Sequence, residues 1–171
     1  VGHLVAITKV SDVPELLAQA RQNPQESFPA ILKLATSEDP YEREVAATLL
    51  VEASKKKPAE IVAEMIRWAE NSNPNVRRTA SEGLRDVGRK QPELALPVIA
   101  KLKADRNLYV KKSVANVLRN AGNYHPEFVL KVCADWAKGK NSDTAWIVKE
   151  ALRKLKTNRP KEVAKIIASG K

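Results

Sequence analysis

Long apolar runs are missing from this chain. Leu94–Ala100 is among the longest, far short of the ~20 residues a helix needs to span a bilayer. No membrane segment is expected, and the first residues lack the basic stretch and long apolar core of a secretory leader. Glycine is scarce, at 6 residues, and aromatics make up 5%. Few segments alternate apolar and polar residues as a half-buried strand does, which argues against a β-protein. Cysteine occurs once, so Cys133 has no internal disulfide partner. This points to a reducing compartment, and the cytoplasm is the expected location. Beside Phe128, Val129 and Val132, the thiol reads as a small buried hydrophobe rather than a nucleophile. Histidine occurs twice, as His3 and His125, and neither lies in a metal-ligand spacing. His125 precedes Pro126 and reads as a turn residue. A phosphate-cradling glycine loop, a GxSxG elbow and an HExxH pair are all missing. The residues therefore indicate no metal, no cofactor and no reaction.

What is present is helix formers and positive charge. Ala, Leu, Val, Lys, Arg and Glu dominate, and most of these lose little on entering a helix. The net charge is +10, unevenly spread. Residues 1–85 hold 11 Lys/Arg against 12 Asp/Glu, whereas residues 86–171 hold 19 against 8. An excess confined to one half suits a polyanion-binding surface better than general solubility.

The chain is periodic. Pro24, Pro58, Pro92, Pro126 and Pro160 stand 34 residues apart. Proline fits the first turn of a helix, where its missing N–H is not needed, so each opens the second helix of a repeat. The first helices then align as Pro40–Lys56, Pro74–Lys90, Leu108–Tyr124 and Ser142–Asn158. Their apolar columns are Val45/Thr79/Ser113/Ile147, Ala46/Ala80/Val114/Val148 and Leu50/Leu84/Leu118/Leu152. Offsets of one, four and five residues form one helical face. Asp39-Pro40 and Asn73-Pro74 read as N-cap and N1, with Asn107 and one of Asn141–Asp143 capping the later helices. Residues 1–23 read as a degraded first helix, with Pro14 opening Glu15–Arg21.

A helical pair cannot bury its apolar face alone, so the pairs must stack. The expected fold is all-α: a right-handed superhelical solenoid of about five HEAT-like two-helix repeats. These fall roughly at 7–37, 38–72, 73–106, 107–140 and 141–171, in one domain.

The remaining face of the first helices is basic. It carries Arg77, Arg78, Glu82, Arg85 and Arg89, then Lys111, Lys112, Asn116 and Arg119, then Trp146, Lys149, Glu150, Arg153 and Lys154. Stacking aligns these into a stripe across repeats, suited to a nucleic-acid backbone. A merely solvated helix face is the plainer alternative. On the Pro40–Lys56 helix the same face has Glu42, Arg43, Glu44, Thr48, Val51 and Glu52, with no basic stripe. Trp146 takes a column that is polar elsewhere. It reads as a packing aromatic at the end of the solenoid or as a stacking surface for a base or sugar. Trp68 and Trp136 share the column of Leu34 and Leu102 and belong to the core. Glu82 is the one acid amid arginines. Salt bridges to Arg78 and Arg85 at helical spacing are its plainer role, and positioning a water or a cationic base is the catalytic one.

Three ordered stretches carry a family resemblance. Asn75–Arg85 (NVRRTASEGLR), Tyr109–Asn120 (YVKKSVANVLRN, followed by His125-Pro126-Glu127) and Thr144–Leu155 (TAWIVKEALRKL) resemble segments of AlkC/AlkD-type DNA alkylation repair proteins. The resemblance implies a HEAT-like solenoid with a basic concave DNA-binding groove and no cofactor. Some members of that family excise alkylated purines such as 3-methyladenine or 7-methylguanine, and others bind DNA, including branched forms, with little or no excision. The departures are specific. Glu150 stands for the family's histidine, Asn120 for an aspartate, and Asp86-Val87 for Pro-Arg. The catalytic aspartate of the AlkD-like branch falls at Arg43, and its DNA-contacting tryptophans fall at Asp39 and Asn116. Arg78 matches the DNA-binding arginine, and Glu82 the glutamate of the AlkC-like segment.

The expected function is non-sequence-specific binding of duplex or branched DNA by a monomer. The contacts expected are Arg77, Arg78, Arg85, Lys111, Lys112, Arg119, Trp146, Lys149 and Arg153, with Glu82 as the candidate catalytic group. An active glycosylase and a protein scaffold for an acidic partner are the alternatives.

Overall fold

The computed structural model describes residues 6–171, so His3 lies outside the described residues. A short 3-10 turn, Val10–Asp12, precedes twelve α-helices, with no strand among the described residues. The helices are α1 (Pro14–Gln22), α2 (Pro24–Ala35), α3 (Pro40–Ser54), α4 (Pro58–Trp68), α5 (Pro74–Glu82), α6 (Arg85–Lys90), α7 (Pro92–Lys101), α8 (Leu108–Ala121), α9 (Pro126–Ala137), α10 (Ser142–Ala151), α11 (Leu155–Asn158) and α12 (Pro160–Ser169). The five periodic prolines open α2, α4, α7, α9 and α12.

The other helix starts are fixed by side chains. Asp39 accepts the Tyr41 N–H, Asn73 the Asn75 N–H, Asn107 those of Tyr109 and Val110, and Asn141 those of Asp143 and Thr144. Each satisfies donors that the first helical turn leaves open. Two layers result. The first helices (α1, α3, α5/α6, α8, α10) pack side by side, as do α2, α4 and α7, and α9 with α12. The core lies between the layers, and all three apolar columns are buried, Thr79 and Ser113 included. Both hydroxyls are satisfied within their own helix, by Asn75 O and Val110 O. Trp68 and Trp136 are core residues. Cys133 is buried, and desolvation pushes its thiol up to about 12, which removes it as a nucleophile at neutral pH.

Two expected first helices are each broken into two pieces. The Pro74–Lys90 helix bends at Gly83-Leu84, dividing into α5 and α6. A Cβ on Gly83 would sit 2.9 Å from both Cβ and Cδ1 of Leu50. Glycine therefore lets α5 lie directly against α3. The Ser142–Asn158 helix breaks after Ala151, at Leu152–Lys154. No glycine or proline marks that break.

Candidate nucleic-acid interface

The repeat turns the exposed face of the first-helix layer into a grid. One row across α3, α5, α8 and α10 is Glu44, Arg78, Lys112, Trp146. Four residues on, one helical turn later, come Thr48, Glu82, Asn116, Glu150. The next row is Val51, Arg85, Arg119, Arg153. Two basic rows thus flank a polar and acidic one, and the outer rows lie about 10 Å apart along the helix axes. A cavity of about 360 Å³ opens where α5, α8 and α10 meet, lined by Arg78, Lys112 and Trp146, by Glu82, Asn116 and Glu150, and by Arg119 and Arg153, with Tyr109 and Ala115.

Arg78 and Lys112 have no carboxylate within 4.0 Å among the described residues, although Arg153 contacts Glu150 at 3.2 Å. Both instead approach one ring. The Arg78 guanidinium lies 5.9 Å and the Lys112 ammonium 5.6 Å from the centroid of Tyr109. A ring face attracts a cation at that distance, so Tyr109 holds two like charges together without neutralising them. Tyr109 is itself 60% exposed. Trp146 is half-buried, packs against the core and carries Lys111 Nζ 5.5 Å from its ring centroid. It anchors the last repeats and also forms one wall of the cavity.

Arg119 is held at the base of the cavity. Its guanidinium donates to the Glu150 backbone oxygen at 2.9 Å and to Asn116 Oδ1 at 2.8 Å. Burial, then the nearby Arg153 charge, pull its pKa below the ordinary arginine value, with Glu150 opposing. Glu82 has the reverse imbalance. Desolvation raises its carboxyl above the ordinary value, outweighing Arg85 and Arg78, and Glu44 adds to the rise. Arg85 reaches Glu82 at 3.5 Å and Glu44 at 3.1 Å. It is therefore shared between two acids and lies outside the cavity.

Besides Arg85, three of the expected contacts do not line the cavity. Arg77 forms a two-pronged pair with Asp105 at 2.7 and 3.3 Å and donates to the backbone oxygens of Asn71 and Ser72. Lys111 pairs with Asp143 at 2.9 Å, its side chain only 13% exposed. Each sits one residue, about 100° of helical rotation, before the Arg78/Lys112 row, and so turns toward the start of the next first helix rather than the groove. Lys149 is exposed but does not line the cavity. Arg43 donates to Ser37 O at 2.8 Å, fixing the turn before α3. His125 contacts Arg89 O through Nε2 at 2.9 Å, as befits a turn residue bridging to the preceding repeat.

Tyr109 escaped the sequence reading. Its column holds Tyr41, Asn75 and Asp143, so no aromatic pattern marks it, and only its three-residue spacing to Lys112 was available as a signal. The described residues contain no group of three or more His, Cys, Asp or Glu side chains arranged to hold a metal ion. No described helix is long and apolar enough to cross a membrane.

The geometry agrees with three solved structures and one sequence family. HEAT repeats match residues 28–119. The alkylpurine DNA glycosylase AlkC of Pseudomonas fluorescens, bound to DNA containing an abasic site analog, superposes with a TM-score of 0.74 and 29% identity over 89% of this chain. The chain spans 43% of that AlkC chain. AlkD2 from Streptococcus mutans gives a TM-score of 0.62 and 27% identity, covering 84% of this chain and 67% of its own. The smu.31 protein of Streptococcus mutans UA159 gives 0.60 and 28%, covering 82% and 68%. No curated protein matches the sequence. The resemblance read from Asn75–Arg85, Tyr109–Asn120 and Thr144–Leu155 therefore has a structural counterpart.

Proposed function

Because the chain belongs to the HEAT-repeat family and lines one face of its solenoid with cations, we propose that it binds DNA through that face without reading sequence. The observation that carries this is the pair Arg78 and Lys112, without carboxylate partners and gathered on the exposed ring of Tyr109. Two basic rows about 10 Å apart suit phosphates on either side of a central strip. Arg78 and Lys112 serve one row and Arg119 and Arg153 the other, with Arg85 and Lys149 at the margins. Such contacts position a duplex and carry no base information, so DNA shape and deformability decide preference. Arg77 and Lys111 act at one remove, by holding neighbouring repeats in register. The solved AlkC is a glycosylase bound to DNA, and that structural likeness supports DNA as the ligand here.

Excision is the second reading, favoured by the Glu82 carboxylate inside the cationic cavity. An ionised carboxylate there would stabilise a cationic sugar in the transition state. Against it stands Arg43, at the place of the AlkD-like aspartate and committed to a turn. The chain is then a DNA-binding relative with reduced catalysis.

Anisotropy titrations with duplex, single-stranded and branched DNA over a salt series test the first reading. Micromolar or tighter binding that weakens steeply with salt is expected. Absence of binding at low salt would remove it. Methylpurine release from alkylated DNA under enzyme excess, abolished by Glu82→Gln, would establish the second reading instead.

A further inference from the structure

The opposite face of the solenoid carries a charge pattern that DNA on the first-helix face would not use. There, the second helices of neighbouring repeats leave two grooves, at α2/α4 and at α9/α12, whose lining positions correspond three periods apart. Between α2 and α4 the groove is lined by Phe28, Leu32, Ala59 and Ala63, with Glu60 and Glu64 beside them. Three repeats later, between α9 and α12, the floor is Leu130, Ala134 and Ile166. Lys131 replaces Pro29, Lys165 replaces Ala63, and Ile166 replaces Glu64. The rim of the first groove is Glu60 and Glu64 with Arg67, and that of the second is Lys131, Lys138 and Lys165 with Glu127 and Glu162, so the balance of charge passes from acidic to basic around a floor that stays apolar.

The three lysines are exposed, and none has a carboxylate within 4.0 Å among the described residues. The two acids lining this groove, Glu127 and Glu162, are both bound by Arg159. The groove volume is about 500 Å³. From Glu127 to Lys138 it runs about 16 Å along α9, three turns of helix. Its floor offers carbon and no aromatic ring. A nucleic acid would find ammonium groups there but no platform for its bases. Aliphatic lysine stems beside an apolar floor, with charged heads in water, complement an amphipathic helix whose flanks are acidic.

We infer that the α9/α12 groove docks an acidic amphipathic helix of a partner protein, while the first-helix face remains open to DNA. The inference does not depend on the DNA-binding reading, because no residue is common to the two sites.

The probes are a synthetic helical peptide with leucines at i, i+3, i+4 and i+7 flanked by glutamates, and its lysine-flanked counterpart. Each is titrated against the full chain, free and saturated with duplex DNA. The glutamate peptide should bind and the lysine peptide should not. Lys131→Glu with Lys165→Glu should weaken the glutamate peptide by about tenfold or more and admit the lysine peptide. Both lysines are exposed and unpaired, so the variant should fold, with thermal unfolding as the check. Saturating DNA should leave peptide affinity unchanged. If the chain binds no DNA, Arg78→Glu with Arg153→Glu replaces that arm, again with no change expected. Three results would overturn the inference: no peptide binding at low salt, equal affinity in the Lys131/Lys165 variant, or loss of the peptide on adding DNA or, in its place, on reversing Arg78 and Arg153.

Discussion

Single residues on the first helices divide by where their charge goes. Lys112 and Arg78 point into the groove without an acid to answer them, whereas Arg77 and Lys111, one position earlier, hold Asp105 in the turn before α8 and Asp143 of α10. Charge reversal of Lys112 should weaken DNA binding at every sequence tested and lower the log–log salt slope by about one. Arg77→Ala should lower the melting temperature instead, with little change in that slope. Identical slopes for Lys112→Glu and the parent would place Lys112 outside the DNA contact. The distinction was not legible in the sequence. Asp105 lies 28 residues beyond Arg77 and Asp143 lies 32 beyond Lys111, separations that only stacked repeats bring together.

Glu82 supplies a pH-dependent counterpart. Burial raises its carboxyl from 4.5, so the folded chain keeps this proton to higher pH than the unfolded chain does. Between 4.5 and the raised value stability falls as pH rises; the penalty is absent below that window and complete above it. Glu82→Gln removes it. The variant's melting temperature relative to the parent should therefore climb as pH rises above 4.5, level off once the raised value is passed, and converge at the acid end. A pH-independent difference would mean that Glu82 ionises like an exposed carboxylate.

At the scale of elements, the strongest sequence signals were those that follow the backbone's own needs. Five prolines at one spacing opened five helices, and Asp39, Asn73, Asn107 and Asn141 capped the others. A cap or an N1 proline is a local matter, settled within one turn of chain, so a sequence displays it. The break between α5 and α6 is different, because it depends on Leu50 of the neighbouring helix pressing against Gly83. The glycine was visible and its neighbour was not. Gly83→Ala should cost about 1–3 kcal/mol through overpacking, read as a lowered denaturation midpoint. If Gly83→Ala costs little in a Leu50→Ala background, the clash is at the α3–α5 contact. Leu152 gave no such signal, and the second break had to be found in the structure.

The whole molecule is a stack in which each repeat touches mainly its neighbours. Its stability is then a sum of repeat and interface contributions, and a core cavity in an inner repeat severs the stack there. Leu118→Ala, in the buried column of α8 with three repeats before it and one after, should destabilise by about 2–5 kcal/mol. Hydrogen exchange should show protection lost on both flanks, whereas loss confined to α8 would argue against coupling between repeats. The first-helix grid changes character along the same stack, from Glu44, Thr48 and Val51 to Trp146, Glu150 and Arg153. The 34-residue period therefore makes the solenoid a ruler. Every added repeat advances the basic rows by one interhelix step of about 8–10 Å without repacking what precedes it. A chain with residues 107–140 duplicated would differ from this one in the length of backbone it measures, and hardly in the chemistry of any single mark.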